Sequence, residues 1–323
     1  MKKLLALLLA LCLVLVGCTP AAEPVTTTVP ATEKTTEPAE SSITPLLYQV
    51  TDEAGHTIWL FGSIHVGRED FYPLPDYVTD AFETAEALAV EFDLRAYEKD
   101  LIAAAKDMAL LVYPDGSTIK DHIDPTLYEE AATLLEDAPI PVSMLDRYMP
   151  SMWWNLIESL ALENSSLDAQ LGIDMHMIDA AYEAEKPVIS IESASSQYSM
   201  LAGFSPELQE FLLQNTVQSI KSGLSLWQTE LLVDPWAEGD EDVLSDFLST
   251  TEEIPDEAAL LYAEYEKALI TDRNLSMTDF AENALKEGKP MMICVGAAHI
   301  VGKGAMAQLL QERGYTVTKL SPN

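Results

Sequence analysis

Cysteine is nearly absent from this sequence, which holds three in 323 residues. Cys12 and Cys18 lie in the apolar N-terminal segment, so only Cys294 lies in the body of the chain. An intrachain disulfide is therefore excluded there, and stability must come from a packed core. Cys294 stands in the apolar run "MMICVG", which is typical of a packed small hydrophobe rather than a nucleophile.

Basic residues are also scarce, since Lys and Arg number 18 against 53 Asp and Glu, for a net charge of −35. Binding to nucleic acid requires a basic face that neutralises phosphates, so the composition predicts no nucleic-acid partner. Solubility and like-charge repulsion at a cell surface explain the acidity, and attraction of cations is a second interpretation.

Several common catalytic motifs are missing. The sequence contains no H-E-x-x-H zinc motif and no G-x-S-x-G nucleophile motif. The stretch "GAAHIVGKG" differs from a phosphate-binding loop in two ways. Five residues separate Gly296 from Gly302 where the loop has four, and Gly304 stands where Ser or Thr is required.

The N-terminus "MKKLLALLLALCLVLVGC" predicts export. Two lysines and a continuous apolar run are typical of a signal peptide over residues 1–17, too short for a comfortable membrane span. The end "LVGC" resembles the bacterial lipobox, which implies that Cys18 is lipidated and anchors the chain to the extracytoplasmic face of the cell membrane. Residues 18–45, rich in Thr, Pro, Glu, Ala and Ser, then predict a disordered tether.

The pattern of residues 46–323 predicts one α/β domain. Apolar runs on both sides of "DEAGH" predict a β-hairpin, and residues 87–94 and the stretch "KPVISIES" predict further strands. Residues 205–286 show almost only helical spacing, and the end of the chain reads as strand, loop, helix and strand. We predict a central mixed sheet formed by the N- and C-terminal parts, with a large helical middle or cap.

Two stretches, "FGSIHVG" and "VGAAHIVG", end an apolar run in Gly-x-x-His: Gly62 with His65, and Gly296 with His299. With 14 Gly and 5 His in the chain, random placement would give roughly 0.2 such pairs. Ligands collect at the carboxyl ends of strands in open α/β sheets, and a Gly there permits unusual backbone angles or close approach. The repeated motif therefore indicates a shared site.

Glu91 and Glu192 end predicted strands of the same kind, so two imidazoles and one or two carboxylates could meet at one sheet edge. This set of groups suits zinc, manganese, cobalt or iron, which would lower the pKa of a bound water. A metal-free site with histidine as general base is an alternative. A second alternative is a purely local role, in which each histidine forms a hydrogen bond within its own turn.

The remaining histidines have weaker patterns around them. We predict that His56, in the hairpin turn, is solvated, that His122 serves local structure before a helix, and that His176 is a core or surface residue of a helix. Asp174, in "GIDMH", is either a helix-start residue or a site residue.

The ordered series "FGSIHVG", "VEFDL", "GIDMHMIDAA", "KPVISIES", "WAEGDED", "TDRNLSM" and "VGAAHIVGKGAMAQLLQERGYTV" is similar to the TraB/PrgY/GumN family, which includes the Tiki proteins. The resemblance spans roughly residues 46–320. It implies an active site of His65, His299, a Glu and an Arg, for which Arg273 is the best match. Glu91 is the first candidate for the Glu, as in the more distantly similar erythromycin esterases, and Glu192 matches the family's other acidic position.

The resemblance to Tiki proteins implies a divalent-metal-dependent hydrolase (Mn, Co or Zn) that acts on peptide or protein substrates outside the cytoplasm. His65, His299 and Glu91 would bind the metal or activate water, and Arg273 would stabilise an oxyanion or bind a substrate carboxylate. Other relatives are linked to peptide pheromone shutdown, so a lipoprotein that captures a peptide without cleaving it is the rival hypothesis. Metal-free ester hydrolysis is the third.

Overall fold

The structure is a computed structural model that describes residues 41–163, 165–248 and 258–322. The predicted signal peptide, Cys18 and most of the predicted tether lie outside these residues. Within the described part of the chain, no helix is both long and apolar enough to cross a bilayer.

Six strands form one mixed sheet in the order β4-β3-β5-β2-β1-β6. The strands are β1 (Leu47–Thr51), β2 (Thr57–Ser63), β3 (Ala87–Val90), β4 (Val188–Ser190), β5 (Met291–Gly296) and β6 (Thr316–Leu320). Strands β4, β3, β5 and β2 run parallel, β1 is antiparallel to β2, and β6 is antiparallel to β1. The predicted α/β class, with a mixed sheet built from both ends of the chain, is confirmed.

The central strands are apolar along their whole length because helices cover both faces of the parallel part. Met291 to Val295 of β5 are all buried, and β2 is buried from Ile58 to Ser63. Such continuous apolar runs are typical of buried parallel strands. Edge strand β6 is mostly exposed, with Thr316, Thr318 and Lys319 as its exposed residues, as expected of a strand that faces water.

Two strand boundaries follow from local chemistry. The β1–β2 hairpin is confirmed, and its turn uses Gly55 at a φ of 89°, a left-handed angle that favours glycine. The run predicted as a strand over residues 87–94 ends earlier, at Val90. It ends there because Asp93 begins the next helix, its carboxylate accepting a hydrogen bond from the Ala96 N–H at 2.9 Å.

Helices fill the connections between strands. In chain order they are Asp76–Thr84, Leu94–Lys99, Leu101–Leu110, Pro125–Leu134, Val142–Leu145, Pro150–Leu162, Ile173–Glu183, Ala194–Ala202, Pro206–Lys221, Leu224–Glu238, Glu241–Leu248, Ala259–Glu266, Asp272–Lys286, Ala297–Ile300 and Met306–Glu312. Helix Pro125–Leu134 starts where residue type favours it, since Asp124 caps it and Pro125 is its first residue.

The buried apolar residues form two clusters. One surrounds the sheet and includes Phe61 and Cys294, which is 1% exposed as predicted for a packed hydrophobe. The other lies among the helices and contains Trp153 and Trp154. The site lies on the sheet side, where the carboxyl ends of the parallel strands meet helices.

Candidate active site

The four parallel strands end at one edge of the sheet, and each brings a polar group to it. Gly296 is the last residue of β5, and the other three strands are each followed within two residues by one of the predicted site residues: His65, Glu91 and Glu192. Because parallel strands β2, β5, β3 and β4 lie side by side, residues far apart in sequence become neighbours.

The glycines of the two motifs allow close approach. A Cβ on Gly62 would lie 3.2 Å from the Ala297 Cα, so the two Gly-x-x-His segments pack directly against each other. A Cβ on Gly296 would lie 3.4 Å from Glu91 Oε1, 3.8 Å from His299 Cδ2 and 3.9 Å from His65 Nε2. One point in space therefore lies within 3.9 Å of both histidines and of Glu91.

Glu91 is mostly buried, with 14% of its side chain exposed, and is held as an ionised carboxylate. Its Oε1 accepts the Gly296 N–H at 3.0 Å, and its Oε2 accepts Arg273 Nη2 at 2.6 Å and Gln197 Nε2 at 3.2 Å. Burial opposes the charge, yet the Arg273 guanidinium, with His299, His65 and the Gly296 N–H, holds the pKa of Glu91 well below its usual range.

Glu192 shares the same guanidinium. Arg273 Nε donates to Glu192 Oε1 at 2.9 Å and Nη2 donates to Oε2 at 2.9 Å, a two-point fork typical of Arg–carboxylate pairs. Gln197 Nε2 also donates to Glu192 Oε2, at 3.0 Å. Arg273 is only 8% exposed, and although burial disfavours its charge, Glu91 and Glu192 raise its pKa. Both predicted glutamates therefore belong to one buried network with the predicted arginine.

His299 is held as a neutral imidazole. Its Nδ1 lies 2.7 Å from Asn274 Oδ1, and the Asn274 amide nitrogen donates to the Gly304 carbonyl at 2.9 Å. Its Nε2 faces Glu91, 3.9 Å from Oε1. Burial, Arg273 and His65 lower the pKa of His299 to about 3, against the attraction of Glu91.

His65 has the opposite electrostatic setting. Its Nδ1 lies 3.2 Å from Asp174 Oδ1, an ion-pair distance, although the two atoms are not aligned as a hydrogen bond. Burial lowers its basicity, but Asp174 and Glu91 outweigh burial and Arg273, raising the pKa of His65 to about 9. Asp174 is thus beside the site as well as in the first turn of its helix, Ile173–Glu183.

The N-terminus of that helix is hydrogen-bonded to the first Gly-x-x-His segment. The Ile173 N–H donates to the Ile64 carbonyl at 2.9 Å. A Cβ on Gly172 would lie 2.6 Å from the His65 carbonyl oxygen, so only glycine fits there. The segment "GID" therefore carries both the close contact and the carboxylate that faces His65.

Arg273 and Asn274 are consecutive, yet both point into the site. They lie in the first turn of Asp272–Lys286, which we call the arginine helix, directly after a π-helical turn, Lys267–Thr271. The extra residue of a π turn changes the helical phase and is frequent at functional sites. The Leu269 carbonyl of that turn accepts Arg273 Nη1 at 3.4 Å.

Two site residues were not predicted from the sequence: Gln197 and Asn274. Asn274 directly follows Arg273 in "DRN", and Gln197 lies one helical turn after the Ser193 cap that follows Glu192. Their closeness in sequence to Glu192 and Arg273 is the feature that could have identified them. The remaining histidines contact other residues: His56 pairs with Asp52 in its turn, His122 stacks on Tyr113, and His176 packs against Tyr72.

The side chains at this edge include residue types that can bind a divalent metal. His65 and His299 each have Nδ1 beside an oxygen and present Nε2 to the site, the orientation that metal-binding histidines adopt. The donor types, with Glu91, fit such an ion. Their spacing is looser: among the residues that the structure describes, no three His, Cys, Asp or Glu side chains form a group able to hold a metal as they stand.

Comparison with known proteins gives one family and two relatives. The model of the TraB/PrgY/gumN family matches residues 46–319. Proteins named "Uncharacterized protein YbaP" from Escherichia coli (strain K12) and Shigella flexneri are each 24% identical over 255 residues, which cover 78% of this chain and 87% of the relative. No solved structure matches the chain.

Proposed function

The chain belongs to the TraB/PrgY/gumN family, and from that premise and the geometry of the site we propose that it is a hydrolase that cleaves peptide bonds. One observation carries the proposal: both motif histidines and Glu91 have an atom within 3.9 Å of the point where a Cβ on Gly296 would lie. Pairs of titratable groups whose surroundings move their pKa values apart are typical of acid–base catalysis. His299 and His65 form such a pair.

In the proposed reaction His299 is the general base. Its Nε2 takes a proton from water as the water oxygen bonds to the peptide carbonyl carbon. When the C–N bond breaks, the His65 imidazolium gives its proton to the departing nitrogen. The products are a carboxylic acid and an amine, and proton exchange with solvent restores both rings.

The buried network places and polarises these groups. Glu91 fixes the Gly296 N–H and faces His299, while Arg273 keeps Glu91 ionised and oriented. Arg273 Nε and Nη2 already bond carboxylates, so we propose that the main role of Arg273 is to position Glu91. The other N–H groups of Arg273, together with His65, would stabilise the oxyanion. His65 has 20% of its side chain exposed against 5% for His299, so we propose that substrate enters on the His65 side.

A divalent metal is a second form of the proposal and would replace these two proton-transfer roles, because an Nε2 that binds a metal can neither accept nor donate a proton. His65, His299 and Glu91 are the residues that would hold it, and when bound it would supply a water of lowered pKa. Dialysis against a chelator and then calorimetric titration with Mn²⁺, Co²⁺ or Zn²⁺ tests this point. We expect one site per chain in the wild type and none in a His65→Ala, His299→Ala double variant. Equal binding by the two proteins would overturn the metal assignment.

We further propose that the chain is exported and lipidated at Cys18, which would anchor it to the membrane and make extracytoplasmic peptides or proteins its substrates. Both rest on the N-terminal sequence pattern. Incorporation of a labelled fatty acid in wild type and its loss in Cys18→Ala would test the anchor.

The test of hydrolysis is cleavage of a peptide library by the wild type, His299→Ala and Glu91→Gln. General acid–base groups typically contribute about 10²- to 10⁴-fold, so we expect losses of that size. His56→Ala is the matched control, because His56 lies in the β1–β2 turn, at the opposite end of the sheet. Tight peptide binding by the wild type without cleavage would favour the non-catalytic binding lipoprotein instead, and cleavage of esters but not peptides would favour an esterase.

A further inference from the structure

We propose that Asn274 is a positioning residue that fixes the tautomer of His299, placing the proton on Nδ1 and a lone pair on Nε2. The inference deepens the proposed function, in which His299 Nε2 accepts a proton, and it rests on that function for its catalytic consequence. The tautomer itself can be measured whether or not the protein cleaves peptides.

The orientation of the Asn274 amide is determined by its second partner. The Gly304 carbonyl can only accept a hydrogen bond, so the atom 2.9 Å from it must be the Asn274 NH₂ group. The amide oxygen then faces His299 Nδ1 at 2.7 Å. An amide oxygen only accepts, so Nδ1 must donate and must carry the proton.

The opposite arrangements each bring two acceptors together. With the proton on Nε2, the unprotonated Nδ1 would face the Asn274 oxygen. With the amide turned over, that oxygen would face the Gly304 carbonyl. Asn274 is 1% exposed and His299 is 4% exposed, so both acceptors are shielded from solvent. A contact between two buried acceptors without a donor is costly. One tautomer satisfies all of these groups.

The two histidines have different partners: a carboxylate, Asp174, beside His65 and an amide, Asn274, beside His299. Asp174 brings a negative charge beside its histidine and favours the imidazolium. Asn274 offers the same acceptor atom without the charge, so it orients the ring and leaves it neutral. The two motif histidines are thus matched to different partners, and Asn274 is the residue that makes His299 the one with a free lone pair.

The first test reads the tautomer directly. Chelator-treated protein labelled with ¹⁵N-histidine is examined by long-range ¹H–¹⁵N correlation, with His299→Ala to assign the ring. We expect wild-type His299 to show a protonated Nδ1 and an unprotonated Nε2. Asn274→Leu should produce a mixture of tautomers, whereas Asn274→Asp, which keeps an acceptor oxygen, should retain the protonated Nδ1. A wild-type ring protonated on Nε2, or an unchanged ratio in Asn274→Leu, would overturn the proposal.

The second test is kinetic and uses any peptide that the wild type cleaves. Partners that orient such histidines are typically worth about 10- to 100-fold, so we expect kcat of Asn274→Leu to fall by that factor with KM nearly unchanged. Asn283→Leu is the control, since this exposed asparagine lies on the same helix away from the site. A fall in KM and kcat together with loss of the folded circular-dichroism signal would indicate a merely structural role and contradict the proposal.

The outcomes separate the two hypotheses. Failure to find any peptide cleavage would remove the proposed function, while the tautomer measurement would still decide the role of Asn274. A wrong tautomer in an active enzyme would overturn the role of Asn274 and leave hydrolysis standing.

Discussion

Gly62 and Gly296 occupy equivalent places in their motifs, yet a side chain at each would meet different neighbours. At Gly62 the added atom would press against backbone and side chain of Ala297 at 3.2 and 3.3 Å. At Gly296 it would make ordinary contacts with Glu91 and the two histidines. The first glycine therefore serves packing, and the second keeps open the space between the reactive groups.

This difference predicts that one substitution harms stability and the other harms activity. Gly62→Ala overpacks a close contact and should cost about 1–3 kcal/mol of unfolding free energy. Gly296→Ala should leave stability within about 1 kcal/mol but reduce peptide cleavage by roughly 10²-fold, since small displacements at reacting groups are that costly. Urea unfolding and initial rates on the same two proteins measure both. Equal loss of stability in the two variants would refute the distinction.

Arg273 is a second residue whose removal has a definite expected cost. It is the cation between two buried carboxylates, and removing one partner of a buried ionic group typically costs about 3–5 kcal/mol. We expect Arg273→Met to lose that much unfolding free energy. Arg313→Met, which breaks the more exposed contacts with Asp279 and Glu282, should lose about 1 kcal/mol or less. A cost for Arg273→Met no larger than that of Arg313→Met would show that the network is dispensable for folding.

The sequence predicted part of this residue set and missed another part for a physical reason. His65, His299 and the two glutamates follow apolar runs, so local pattern indicates that they are strand-end groups. Asn274 Oδ1 forms a hydrogen bond with a histidine ring 25 residues away, and Gln197 donates to a carboxylate 106 residues away. A hydrogen bond between residues so far apart leaves no local pattern, and an isolated Asn or Gln on a helix looks like surface.

At the scale of secondary-structure elements, Lys186 joins the helix Asp76–Thr84 to the connection before β4. Its ammonium group donates to the carbonyl oxygens of Phe82 and Glu83 at 2.6 and 3.0 Å and also to that of Ala85. These are carbonyls at the C-terminal end of the helix, which lack partners within it and carry the negative end of its dipole.

The position of Lys186 predicts a cost for its removal. Lys186→Met keeps most of the apolar stem but leaves three carbonyls without their cation, so we expect a loss of about 1–2 kcal/mol in urea unfolding. Lys286→Met provides the comparison, because Lys286 makes an exposed pair with Glu282 and should cost no more than about 0.5 kcal/mol. Similar values for both lysines would argue against a capping role.

Element boundaries were predictable where a residue type decides them, as with Asp124 and Pro125 at the start of their helix. The π turn over Lys267–Thr271 was not. Nothing in "KALIT" distinguishes it from an ordinary helical segment, and its extra residue is stabilised by the engagement of Arg273, two residues later, with two strand-end carboxylates. Tertiary contacts, rather than local propensity, select that geometry.

At the scale of the whole molecule, the two histidines make stability depend on pH. The folded pKa of His65, about 9, lies above its ordinary value of 6.5. Its stabilising contribution is therefore complete below the ordinary pKa and is lost as the pH rises towards 9. For His299, whose pKa of about 3 lies below the same ordinary value of 6.5, stability falls as the pH drops below 6.5.

Measuring the unfolding free energy between pH 6.5 and 9 checks the first of these effects. The wild type should lose stability across this window, and Asp174→Asn should flatten the profile because it removes the charge that favours the imidazolium. Asp234→Asn is the control, since Asp234 pairs with Arg68, which keeps its charge throughout. An unchanged slope in Asp174→Asn would contradict the assignment of His65 as the cation.

The sheet order has a practical consequence for anything attached to the chain. Leu47 of β1 lies opposite Phe61 of β2 and also opposite Leu320 of β6. Strand β1 therefore begins, and β6 ends, at the edge where the parallel strands present the site. Neighbouring strands are about 4.8 Å apart, so β1 begins and β6 ends within about 10 Å of β2. A purification tag or fusion partner that follows β6 will therefore lie near the candidate site, and assays should compare proteins with and without it.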